Sequence, residues 1–144
     1  MNNLKIIFLI SFIIGGIMGL VSLIPYMAKF LVIILLTVIS SPILFWLRKL
    51  GLINNFNEKE SMKFGALTGI FSTLGFGIIF YPLVYILLLF FNIEYLGGFS
   101  LMVKLMSLPL ALMFIIFICL ISAIFNAFSA LMYYYVEEGI KNLK

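Results

Sequence analysis

The chain reads as four long apolar runs separated by short polar or proline-marked breaks. Ile6 to Ile24 is nineteen residues and Phe30 to Leu47 is eighteen, neither holding a charge. At 1.5 Å per residue they reach roughly 28 and 27 Å as helices, close to the ~30 Å hydrocarbon core of a bilayer. A third run, Phe64 to Phe91, has twenty-eight residues. It would reach roughly 42 Å, so it must tilt, or break near Tyr81-Pro82. Ser107 caps a fourth helix with Pro109 in its first turn, where a missing N–H costs nothing, and that helix is expected to end by about Val136. The first run is longer than a signal-peptide core and no Ala-x-Ala-like site follows it, so it is read as a span.

The connections complete the outline. Pro25 to Lys29 is a tight turn that forces an antiparallel neighbour. Pro42, after Ser40-Ser41, lacks an N–H and crowds the Val38 carbonyl, so a kink is expected there. Arg48 to Lys63 is the one hydrophilic loop, with Glu58-Lys59-Glu60 an ordinary charged stretch able to initiate a helix. Asn92 to Lys104 is the next connection, with Gly97-Gly98 its flexible point. The expected fold is all-α: a single integral membrane domain over residues 1–144. Its four transmembrane helices, at about 6–24, 30–47, 64–90 and 108–132, form two antiparallel hairpins with a cytoplasmic loop at 48–63.

Composition sharpens this picture. Of 144 residues, 65% are hydrophobic and 10% charged, against about 25% charged in soluble domains. Seven basic residues (Lys5, Arg48, Lys49, Lys59, Lys63, Lys141, Lys144) fall on the side of the termini and two (Lys29, Lys104) on the other. The excess marks the seven-charge side as cytoplasmic. Trp46 and Tyr133 to Tyr135 suit that interface, and Tyr26, Tyr85 and Tyr95 the outer one. The net charge of +4 sits at the ends of apolar runs, where headgroups lie, and forms no stripe that would bind nucleic acid.

Both halves begin alike, with a lysine before a glycine-rich span, but the second helices do not match, since Pro42 lies late in one and Pro109 at the start of the other. The likeness is read as coincidence. The Ile24-Pro25-Tyr26 ending, the basic Arg48-Lys49 exit and Lys63-Phe64-Gly65-Ala66-Leu67-Thr68-Gly69 carry a resemblance over roughly residues 5–85. In these the chain resembles small four-span bacterial inner-membrane proteins of unassigned function. The resemblance implies a bacterial inner membrane and transfers no functional residue.

Two patterns can carry function. Small residues recur every four positions: Ser11, Gly15 and Gly19 in the first span, and Gly65, Gly69, Thr73 and Gly77 in the third. In the fourth, Ser107, Ala111, Cys119, Ala123 and Ala127 keep the step, with Ile115 interrupting. Such grooves let helices approach closely, within the bundle or against another copy. The second pattern is a polar cluster at one depth: Thr37, Ser40, Ser41, Thr68, Ser72, Ser122, Asn126 and Ser129. Ser122, Asn126, Ser129 and Tyr133 form one stripe of the fourth helix. It is either interhelical glue or a cavity open to the cytoplasm. Asn126 is the residue back-bonding alone cannot satisfy, and Thr68, Ser72, Ser40 and Ser41 are its candidate partners.

Catalytic chemistry finds no support. Histidine is absent and Cys119 is the one cysteine, which excludes a disulfide within the chain, a Cys/His zinc site and the usual nucleophile pairs. No Asp, Glu, Lys, Arg or His lies within a span, as proton- or ion-coupled transport would ask. Glu94 is expected in the outer connection, and Glu137 and Glu138 in a solvated tail. The leading expectation is a non-enzymatic, cofactor-free accessory or assembly subunit. It would act through helix contacts in the lipid bilayer, with a homo-oligomer or another membrane protein as partner. The alternative is a channel or permease for a small neutral or weakly polar solute.

Overall fold

The computed structural model describes residues 2–24, 26–53, 57–91 and 107–143, and five α-helices occur among them. They are α1 (Asn2–Val21), α2 (Met27–Thr37), α3 (Ser40–Lys49), α4 (Glu58–Phe91) and α5 (Leu108–Asn142), and no strand occurs among the described residues. Three of them, α1, α4 and α5, are long and apolar enough to cross a membrane, and the bent pair α2–α3 makes a fourth if it counts as one span. Large apolar side chains such as Phe30, Phe90, Met113, Ile116 and Phe128 stay exposed, a surface suited to lipid.

α4 lies at the centre, packed along α1 on one side and α5 on the other. Contacts fix the directions. Phe8 meets Phe71 edge-on at 4.8 Å, and Gly19 faces Phe76 and Phe80, so α1 runs parallel to α4. Ser61 bonds the Ala130 carbonyl, while Gly77 faces Ile115, so α5 runs antiparallel to it. The bent pair follows α5: Leu35 meets Ser122, Ser41 meets Ser129 and Arg48 pairs with Glu137. The sequence therefore travels out along α1, back along α2–α3, out along α4 and back along α5.

The glycine spacing marks where backbones touch. A Cβ on Gly15 would overlap the Ser72 carbonyl, and one on Gly65 would overlap Ala130 and the Asn126 carbonyl. At Gly69 the Ser122 oxygen would lie 2.6 Å away. α4 thus has two small-residue faces. Gly65 and Gly69 receive α5, whereas the α1-facing side is opened by Gly75, whose added Cβ would strike the Phe12 carbonyl.

Several boundaries differ from expectation. The second run breaks at Val38-Ile39 rather than at Pro42, bending by 67°. The cause is still the proline, because its missing N–H and its ring disturb the preceding turn. Restarting at Ser40 leaves Pro42 in the first turn of α3, where it is tolerated. The loop expected over 48–63 is helical at both ends, over 48–49 and 58–63. α3 closes in a Schellman turn, with Gly51 at φ 69°, the Leu52 N–H on the Leu47 carbonyl and the Gly51 N–H on that of Arg48. α4 then begins at Glu58, capped reciprocally: Asn57 Oδ1 accepts the Glu60 N–H at 2.9 Å and Glu60 accepts the Asn57 N–H at 3.4 Å, the capping-box pattern. α4 continues unbroken through Tyr81-Pro82, which removes the expected alternative of a break there. α5 overruns Val136 to Asn142. Glu137 is no solvated tail, since it pairs with Arg48 and with Lys141 at 3.3 Å. Those two cations offset the dipole that disfavours a carboxylate late in a helix. Asn54-Asn55, Glu94, Tyr95, Gly97-Gly98 and Lys104 lie outside the described residues.

Glycine-to-alanine substitutions should separate the close approaches from open positions. Gly15→Ala and Gly69→Ala should each lower thermal stability in detergent by an amount equivalent to about 1–3 kcal/mol, the usual cost of overpacking. Gly139→Ala, where nothing lies within 4 Å, should leave it unchanged or raise it, because alanine is the better helix former.

Candidate functional site

The α2–α3 break strands backbone groups that a continuous helix would pair. In such a helix the Ser40 N–H would bond the Leu36 carbonyl. Here the Val38 and Ile39 N–H groups both turn to the Ile34 carbonyl, at 3.0 and 3.1 Å. The Ser40 N–H and the Leu36 carbonyl are left apart, in a region buried between α2–α3 and α5.

Asn126 fills the gap. Its Oδ1 accepts the Ser40 N–H at 2.9 Å, and its Nδ2 donates to the Leu36 carbonyl at 3.1 Å and to that of Leu35 at 3.0 Å. The same amine lies 3.0 Å from the Ser122 carbonyl and 3.1 Å from Ser122 Oγ, so two protons are shared among four acceptors. The side chain is wholly buried. A carboxamide carries the donor and acceptor of a peptide unit, and this one stands in for the bond the break removed. Ser40 Oγ closes the arrangement by donating to the Asn126 main-chain oxygen at 2.8 Å.

The neighbouring hydroxyls extend it. Ser41 donates to the Ser129 carbonyl at 3.0 Å and shares a 2.6 Å hydrogen bond with the Ser129 hydroxyl. Ser122 Oγ lies 3.2 Å from the Gly69 carbonyl and 3.4 Å from that of Leu35, tying α5 to α4 and to α2. The expected cluster therefore divides. Ser40, Ser122 and Asn126 meet in one network, and Ser41 and Ser129 pair separately beside it. Thr37 instead donates back to the Ile33 carbonyl at 2.7 Å, and Ser72 back to that of Gly69 at 3.2 Å. Thr68 is buried with no hydrogen-bond partner among the described residues, and no hydrogen bond joins Asn126 to Thr68 or Ser72. The partners of Asn126 are mainly backbone groups of the broken helix, which a search for polar side chains overlooks. Their signal was present in Ser40-Ser41-Pro42, because a proline in an apolar run announces unpaired carbonyls upstream.

The small-residue stripes come to rest inside the bundle. Ser11, Gly15, Gly19, Gly65, Gly69 and Thr73 are buried, and Gly77 is partly buried against Ile115. In α5, Ala111 and Cys119 are buried, Ala123 and Ala127 partly so, and Ser107 is exposed. No cluster of three metal-ligating side chains occurs among the described residues. No protein-family model matches the chain, and comparison with curated proteins and with solved structures returned no match.

Asn126→Leu should destabilise the bundle by about 0.6–2 kcal/mol for each interhelical hydrogen bond lost. Ser40→Ala should cost less, since it removes one hydroxyl bond and keeps the Ser40 N–H on Asn126. Unfolding of both variants in mixed micelles checks that order.

Proposed function

We propose that this protein is a four-span integral membrane protein without enzymatic activity, serving as an accessory or assembly subunit through helix contacts. The observation that carries the reading is the consumption of Asn126, the most polar group in the interior, by the broken helix it repairs. A permeation pathway needs polar groups presented to a solute, whereas Asn126 and the hydroxyls of Ser40, Ser41, Ser122 and Ser129 are bonded within the bundle. Chain direction supports treating α2–α3 as one broken span. Met27 follows α1 at its far end after five residues, while Arg48 stands beside Glu137 near the end of α5. With α4 and α5 this supports two antiparallel hairpins with both termini on one side, for which the basic-residue excess favours the cytoplasm; the bacterial inner membrane is what the resemblance to small four-span proteins implies.

The alternative is a channel or permease for a small neutral or weakly polar solute, and one observation favours it. Broken helices near mid-membrane are how many transporters expose backbone groups to substrate, and the α2–α3 break has that form.

Thiol accessibility separates the two. In a Cys119→Ala background, Ser122→Cys and Asn126→Cys should resist a membrane-impermeant thiol reagent from both sides. Rapid labelling at both positions from the cytoplasm would overturn the scaffold reading in favour of the permease. Reporter fusions at the N-terminus, at residues 57–60 and after Lys144 should report cytoplasm, and one at Gly97-Gly98 the outside. A cytoplasmic signal at Gly97 would overturn the four-span count.

A further inference from the structure

Beside the break, a surface groove of about 500 Å³ runs between the bent pair and α5. It adjoins a second, of about 320 Å³, through the shared walls of Tyr133 and Val136. Together they form one furrow from Thr37 and Phe125 at the deep end to Lys49 and Ile140 at the charged end. On α5 it extends from Phe125 to Ile140, roughly 22 Å at the helical rise. Half a bilayer with its headgroup layer is about 20–22 Å thick, so the furrow spans one leaflet and the headgroups above it.

Its chemistry is graded along that length. Phe125, Phe128, Met132 and Val136 make the deep part apolar, and the hydroxyls there are engaged in the bundle's own bonds, as Ser41 is with Ser129. At the mouth, Arg48, Lys49 and Tyr133 gather around Glu137. Glu137 is held by Arg48 and by Lys141, the latter outside the lining, so two cations and one already paired carboxylate line the mouth, which carries net positive charge. Lys49 is exposed and forms no ion pair among the described residues. A free inorganic anion would leave the apolar length unfilled, and a neutral lipid would leave the charge unmatched.

We propose that this furrow is a binding site for one anionic phospholipid, its acyl chain along α5 and its phosphate at Arg48 and Lys49. The site goes beyond the scaffold role and presupposes only that the protein sits in a bilayer. Each basic side chain near an anionic membrane surface contributes about fivefold in affinity, enough to distinguish a site from ordinary annular lipid.

The test reads fluorescence from one tryptophan in the groove. The full chain carrying Trp46→Phe and Phe128→Trp is reconstituted in phosphatidylcholine vesicles with a rising fraction of dibrominated phosphatidylglycerol. Dibrominated phosphatidylcholine serves as the reference quencher. Half-maximal quenching should come at a fraction about fivefold or more lower for the anionic lipid. Lys49→Gln should remove most of that preference, as should the charge-balanced pair Arg48→Gln with Glu137→Gln. Equal quenching by the two lipids would overturn the site, and so would a preference surviving both sets of substitutions. Absence of quenching by either lipid would overturn the membrane reading itself, and the site with it.

Discussion

A side-chain amide replaces a main-chain hydrogen bond at the Asn126 contact, and the return path of the chain depends on it. Proline in the second run makes a regular helix expensive just before Ser40, and an open backbone in a lipid-like interior loses several kcal/mol for each group left bare. The carboxamide meets one orphan donor and the carbonyls of both Leu35 and Leu36, whereas a serine has a single proton to donate and a leucine has none. Once α3 is released from the axis of α2, its charged end stands beside the last turns of α5. Arg48 then reaches Glu137, and α5 holds its helix as far as Asn142.

The central position of α4 has a different origin. Between helices in lipid there is no hydrophobic drive, so association rests on close packing and on directional bonds. Glycines on two faces let α4 accept backbones from both sides: Ser72 meets Gly15, and Ser122 meets Gly69. Larger side chains then fill the space at the far end, where Phe76 and Phe80 stack at 4.9 Å beside Val84.

Fold class was legible because it rests on run length and the absence of charge, quantities a sequence states outright. The position of Asn126 at the heart of the site was legible for a similar reason, since a buried primary amide must find partners. Of its expected partners Ser40 is one, but the carbonyls of Leu35 and Leu36 were not legible, because those residues look like any other leucines until the helix breaks. Boundaries failed where local capping outweighed hydropathy. Glu58 to Lys63 reads as loop by polarity, yet Asn57 and Glu60 cap it as helix. Glu137 reads as a tail until Arg48, distant in sequence, arrives beside it. Gly75 lies off the four-residue step because that step tracks one face of α4 while α1 occupies another.

The two interfaces of the bundle are consequently held by different physics. Between α5 and its neighbours, hydrogen bonds recur along the length, from Ser122 through Asn126 and Ser129 to Ser61 on the facing helix. Such bonds are directional, so a slide of one residue would break them together, and they set register. Between α1 and α4 the backbones come as close, but Thr68 and Ser11 are buried without hydrogen-bond partners among the described residues. The pairing of Gly15 with Ser72 puts those two at the same level one turn away. Dispersion and the Phe8–Phe71 contact hold that side, and these depend on distance more than on direction. Among the described residues no side-chain hydrogen bond joins α1 to α4, so α1 is positioned by fit, whereas α5 and the broken helix are locked in register.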